Sequence, residues 1–182
     1  MEFLDIVSEN DEVIGRAPRS EIKQKGLLHR EIHIWFFNDK GDVLIQKRAL
    51  DKDTYPGLLD VGVGGNVESG MGYSDTAIKE VKEELGLNIG PNDLIEICKK
   101  RRHHFDSLTV RENNANDTVY AVRFNGQLED LNFLREEIIE LQWWPIDKLF
   151  NLSEEDKKLF VPLTISAEIR EDLKKVKKLI GI

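Results

Sequence analysis

A single cysteine, Cys98, stands in a chain of 182 residues, which excludes an intramolecular disulfide within it. Prolines number only five, and no proline-rich linker, internal repeat or low-complexity segment interrupts the sequence. No apolar run approaches the roughly 18 residues of a spanning helix. The opening segment MEFLDIVSEN has neither a basic nor an apolar leader region, so a cytoplasmic protein that does not enter a membrane is expected. Positive charge is also short. Lys and Arg number 26 against 34 Asp and Glu, a net charge of -8, so no general field draws nucleic acid or an anionic surface. An anionic substrate would need local help, such as a metal.

What is present suffices for one core: apolar residues make up 40% of the chain. FLDIVSENDEVIG (3–15) reads as a hairpin, and PRSEIKQKG as a short helix stopped by Gly26. HREIHIWFF, the turn NDKG and DVLIQKR form the clearest hairpin, followed by the loop DKDTYPG and a short strand LLDVGVGG that runs into glycines. A helix follows, with Ser74 as expected N-cap, Ala77, Ile78, Val81 and Leu85 on one face, and Gly86 as stop. Strands are expected at LIEICKK, TVYAVRF and IIELQWW. A last helix carries Ile165, Ile169, Leu173, Val176 and Ile180 at helical spacing, with Lys174, Lys175, Lys177 and Lys178 opposite. Strands interspersed with helices predict an α/β fold with a mixed sheet covered by helices.

Within GGNVESGMGYSDTAIKEVKEELGL (64–87), Glu80, Glu83 and Glu84 share one patch of a helix. Like charges at this spacing cost a few tenths of a kcal/mol per pair unless a counter-charge sits among them. A hard divalent cation suits oxygen-only ligands, and Mg²⁺ typically takes one or two carboxylates while keeping waters and substrate phosphates. Equally, the three glutamates could be a solvated face meeting only Lys79 and Lys82.

The stretch resembles the Nudix box, G-x5-E-x7-R-E-U-x-E-E-x-G-U with U a bulky aliphatic residue. Gly65, Glu80, Val81, Glu83, Glu84, Gly86 and Leu87 fall in register, while Met71 replaces the motif's first glutamate and Lys79 its arginine. The preceding GLLHREIHIWFFNDKGDVLIQKRALDKDTYPGLLDVGVGG is similar to the branch holding isopentenyl diphosphate isomerases and their hydrolase relatives, and the likeness covers roughly residues 2 to 150. The resemblance implies one α/β/α Nudix sandwich over residues 1–182: an N-terminal hairpin and short helix (1–28), a core (29–152) with the box at 65–87, and a helical C-terminal segment (153–182). It also implies Mg²⁺ or Mn²⁺ held first by Glu80 and Glu84 and third by Glu83.

Two reactions belong to that branch. The isomerase uses a cysteine leading into the box and metal-binding histidines on both sides of it. This chain has Gly64 and Asn66 at the matching positions, and only His29 matches, so isomerase chemistry is not expected. Hydrolysis of an organic diphosphate by water attack at phosphorus needs less; a diphosphate-binding module with little turnover is the alternative. The general base is expected among the box glutamates or at Glu112 or Asp117. Substrate contacts are expected from Gly64, Gly65, Arg48 and Lys52, with Trp35 or Tyr55 as stacking surfaces. The lost glutamate and arginine commonly shape the box, and their joint replacement is read as an exchange of an ion pair for packing. KKRRHHF (99–105) is read as a solvated strand end and turn, with phosphate contact as its functional alternative; Cys98 as a small buried hydrophobe; His33 as a strand residue. Trp143 and Trp144 are expected in the core or at a contact between two copies, which leaves room for a homodimer. The expected partner is a small organic diphosphate.

Overall fold

A computed structural model describes residues 2–52, 54–106 and 111–181. The hairpin β1 (Phe3–Val7) and β2 (Val13–Pro18) leads to helix α1 (Arg19–Lys25), which ends on Gly26 in the left-handed conformation. Then come β3 (His29–Phe37), β4 (Asp42–Arg48), β5 (Leu59–Val61), β6 (Val63–Asn66) and helix α2 (Tyr73–Leu85). The chain continues through β7 (Ile95–Asp106), β8 (Arg111–Arg123), β9 (Ile138–Pro145), the short helices α3 (Ile146–Phe150) and α4 (Glu154–Lys157), and the final helix α5 (Ala167–Ile180).

The main sheet has the path β5-β4-β3-β8-β7, with β6 also on β3 and β9 also on β4. β3 and β8 run parallel and the other pairs antiparallel, so the sheet is mixed, as expected. Strand alternation sorts β3 by parity. Ile32, Ile34 and Phe36 face a core closed by Ala77, Val81 and Leu85 of α2. Trp35 and Phe37 face the opposite core, closed by Ile146 and Leu149 of α3 and by Ile169, Leu173 and Val176 of α5. Helices thus cover both faces of the sheet, an α/β/α sandwich.

The same parity makes the α5 side polar toward the start of β3. Glu31 and His33 precede Trp35 on that face, and Asp117, paired in register with Glu31, precedes Val119 and Ala121 on β8. On β7, Arg102 ion-pairs Asp117 at 2.7 Å and Glu168 at 3.3 Å, while Lys100 donates to Asp172 at 2.5 Å. Helix α5 is therefore held by apolar packing of Ile169, Leu173 and Val176 together with ion pairs at Glu168 and Asp172.

Several expectations are corrected. LLDVGVGG is not one strand: Gly62, at φ 63°, divides β5 from β6, and a Cβ there would lie 1.8 Å from the Ile34 carbonyl oxygen. Only glycine fits so close an approach. The β3–β4 hairpin pairs only at Phe37 and Val43, because β3 then continues between β6 and β8. The N-cap of helix α2 is Gly72, two residues before Ser74, and no side chain caps it. KKRRHHF holds no turn: it is the second half of β7, and its Lys100 and Arg102 are not solvated but pair with acids that lie far away in sequence. Trp143 stacks on Phe124 at 6.3 Å and Trp144 meets Phe160 edge-on at 5.3 Å. Cys98 is half-buried against the α5-side core.

Candidate active site

Helix α2 buries its apolar stripe against the sheet, which turns Glu80 and Glu84 toward the glycine pair of β6. The backbone of Gly65 lies so close to Glu80 that a Cβ there would stand 2.8 Å from the Glu80 Cδ. Any side chain at this position would push the Glu80 carboxylate aside. Glu2, Arg19, Lys52, Glu68 and Glu137 complete the rim of the cleft, with Leu134 beside them.

Burial pushes the Glu80 carboxyl up to about 7, with repulsion from Glu83 adding to it. Burial pushes Glu84 up to about 8, helped by the neighbouring charges of Glu80 and Glu137. Two carboxylates that disfavour their own charge at one place form a site that gains from a cation. Among the described residues, no three His, Cys, Asp or Glu side chains converge tightly enough to hold a metal ion. Glu83 also lines the cleft, half-exposed, and faces Lys79 at 3.7 Å. The donor set of the box glutamates, with Glu137 across the cleft, is all oxygen. It fits a hard divalent cation that keeps waters or phosphate oxygens in its other positions.

The box departures have a different explanation from the one expected. Met71 does pack, against the α2-side core. Lys79, however, ion-pairs with Glu68, and this hydrogen bond is the main reason its ammonium is held above the usual lysine range. The ion pair is retained with a new acid, three residues earlier in the loop. That loop is braced by the N-terminal hairpin: Asp5 accepts from Ser69 Oγ at 2.5 Å and from Gly70 N at 3.1 Å, and Ser69 N donates to Phe3 O at 2.9 Å.

Of the expected substrate contacts, Gly64, Gly65, Arg48 and Lys52 all line the adjoining cavity. Arg48 is steadied by the Thr54 carbonyl at 3.0 Å and faces Asp60 at 3.5 Å; Lys52 ion-pairs with Glu137. Trp35 is not among them: it is 0% exposed, in the core beneath the sheet face, and offers no surface to a ligand. Tyr55 does line the cavity. Glu112 lies on β8 outside both depressions, with its carboxylate 2.6 Å from His103 Nε2. Asp117 is a buried strand residue paired with Arg102, not a loop carboxylate, and burial pushes it up to about 7. His29 is wholly buried, its Nδ1 against the Leu27 carbonyl at 3.0 Å and its Nε2 3.0 Å from the Lys23 ammonium. An imidazole so engaged is no metal ligand, which removes the single match to the isomerase pattern. Glu137 and Glu68 escaped the sequence reading. Nothing in LREEIIELQ marks Glu137, since only the fold carries it to α2; Glu68, eleven residues before Lys79, lies off the motif's own spacing.

Comparison with known proteins gives the family. Residues 27–163 match the NUDIX domain family, and the chain belongs to it. An uncharacterised Nudix hydrolase of Clostridium acetobutylicum is 35% identical over 152 residues, covering 81% of this chain and 72% of that one. A crystal structure from Deinococcus radiodurans superposes with a TM-score of 0.61 at 24% identity, over 88% of this chain and all (100%) of that one. The dihydroneopterin triphosphate pyrophosphohydrolase of E. coli superposes with a TM-score of 0.53 at 20% identity, over 80% and 92% of the two chains. These structural likenesses carry the fold.

Proposed function

We propose that this protein hydrolyses the diphosphate bond of a small organic diphosphate, with Mg²⁺ or Mn²⁺, by water attack at phosphorus in the cleft between α2 and β6. The observation that carries this reading is that Glu80, Glu84 and Glu137 line one cleft, with Arg19 and Lys52 at its rim. Acids alone would repel a diphosphate, and bases alone would bind it without activating water. Both are needed for metal-assisted phosphoryl transfer. Glu80 and Glu84 would hold the cation, which when bound supplies neutralisation of phosphate oxygens and acidification of water.

The chain's own residues do the rest. Gly64 and Gly65 let the diphosphate approach the β6 backbone without a side chain in the way. Lys52, Arg48 and Arg19 orient its oxygens by charge-assisted hydrogen bonds. Glu137, facing the box carboxylates and ion-paired with Lys52, takes the proton of the attacking water. Glu83, which lines the same cleft and faces Lys79, stands third for the cation.

The test is a panel of organic diphosphates incubated with Mg²⁺ and read by product mass. Glu80→Gln and Glu84→Gln keep side-chain shape and remove charge, so each should lower metal-dependent cleavage at least about tenfold with folding retained. Activity that survives undiminished in both variants contradicts the assignment.

A further inference from the structure

We propose that the cavity beside the cleft receives a hydroxylated, sugar-like group of the substrate, whose hydroxyls are read by Asp60 and His33 with Thr164 positioning Asp60. The inference rests on the hydrolase reading for the location of the diphosphate. The cavity measures about 360 Å³ and shares Lys52, Gly64, Gly65, Glu84 and Glu137 with the cleft, so a substituent on a diphosphate held there enters it directly.

Ligand pockets are usually lined mainly by apolar and aromatic side chains. This one is built from the polar end of the sheet face described above, because Glu31 and His33 of β3, Arg102 of β7 and Asp60 beyond β4 all open into it. Of Phe, Trp and Tyr, only Tyr55 is present among its described lining residues, so no pair of these large rings sandwiches a base there. A prenyl chain would strip water from these polar groups and return no hydrogen bonds.

Specific atoms have capacity to spare. Asp60 Oδ1 accepts from Val61 N at 2.9 Å and from the Thr164 hydroxyl, whereas Oδ2 meets only Arg48, at 3.5 Å, among the described residues. A carboxylate oxygen in that position can accept from a hydroxyl. His33 Nε2 is buried and has no hydrogen-bond partner among the described residues. A hydroxyl, which both donates and accepts, satisfies either state of that nitrogen. Thr164 and Ile169 of α5 both lie beyond the segment that matches the family, and both line the cavity. This wall is where the chain is free to set its own specificity.

The experiment is calorimetric binding, with Mg²⁺, of the methylene-bridged analogues of ribose 5-diphosphate and of n-pentyl diphosphate. They resist cleavage, and they differ mainly in their hydroxyls and ring. The intact protein should bind the ribosyl analogue at least about tenfold more tightly, a factor worth about 1.4 kcal/mol. In Asp60→Asn and in Thr164→Val this ratio should fall toward one. Equal or tighter binding of the pentyl analogue, or failure of both to bind, overturns the inference, and this outcome needs no variant to fold. Phosphate release from the two cleavable parents separates the two readings. Selective binding without any cleavage upholds the cavity and removes the hydrolase; equal cleavage with equal binding does the reverse.

Discussion

Glu84 combines deep burial with two acidic neighbours, Glu80 and Glu137, and its carboxyl titrates near 8 for that reason. A carboxyl whose folded value is raised binds more protons folded than unfolded. Its contribution to stability is complete below the ordinary glutamate range and is lost as pH rises through its folded value. With chelator present, the protein should lose stability between about pH 5 and pH 8.5, the window set by Glu80 near 7 and Glu84 near 8. Each kcal/mol lost lowers the melting temperature by roughly 2 to 4 °C in a chain of this size. Thermal melts across this range should show a shallower decline in Glu84→Gln than in the parent, and adding Mg²⁺ should flatten the parent's curve. Identical slopes in parent and variant would remove Glu84 from this role. Lys79 gives a second prediction at this scale. Because Glu68 receives its ammonium, Lys79→Arg should be tolerated, and a double-mutant cycle of Glu68→Gln with Lys79→Met should give a coupling of about 0.2 to 1 kcal/mol, the range of a half-exposed pair. A coupling near zero would return the box departures to packing alone.

At the scale of elements, the box loop depends on the N-terminal hairpin more than on its own sequence. Asp5 is buried and holds both Ser69 and Gly70, and Asp11 of the same hairpin accepts from the Tyr73 hydroxyl at 3.0 Å and from Arg30 at 2.9 Å. Asp5→Ala would leave the donors of Ser69 and Gly70 without partners and should cost about 1 to 3 kcal/mol, measured as a shift of the urea midpoint without a change in slope. Local signals made many elements legible. Gly26 and Gly86 stop their helices because only a left-handed residue closes the last turn, and the stripe of Ala77, Val81 and Leu85 declares the buried face of α2. Other elements were hidden because their cause is distant. Gly62 breaks LLDVGVGG only because Ile34 lies against it, and the basic run in β7 stays extended because Asp117 on the neighbouring strand and Glu168 and Asp172 on α5 receive its charges.

For the whole molecule, the box made the helix face of the site legible, since Glu80 and Glu84 follow from motif spacing. The opposite side was not, because Glu137 has no spacing relation to the box and reaches it only once β9 has joined β4 and set the preceding loop over the end of α2. Trp35 misled for the related reason that strand parity, not residue type, decides which aromatic meets a ligand. The sandwich thus separates two tasks. Its apolar cores hold α2 and α5 against the sheet, and the polar end of one face borders the cleft where acids and bases meet. The central claim is that this cleft directs water to phosphorus with a divalent cation. It is tested most directly by running the reaction on organic diphosphates in water enriched in heavy oxygen, with and without chelator, and weighing both products. The account predicts heavy oxygen in a phosphate product, with formation lost on chelation and lowered at least about tenfold in Glu84→Gln. Heavy oxygen bound to carbon instead of phosphorus, or an undiminished rate after chelation, would contradict it.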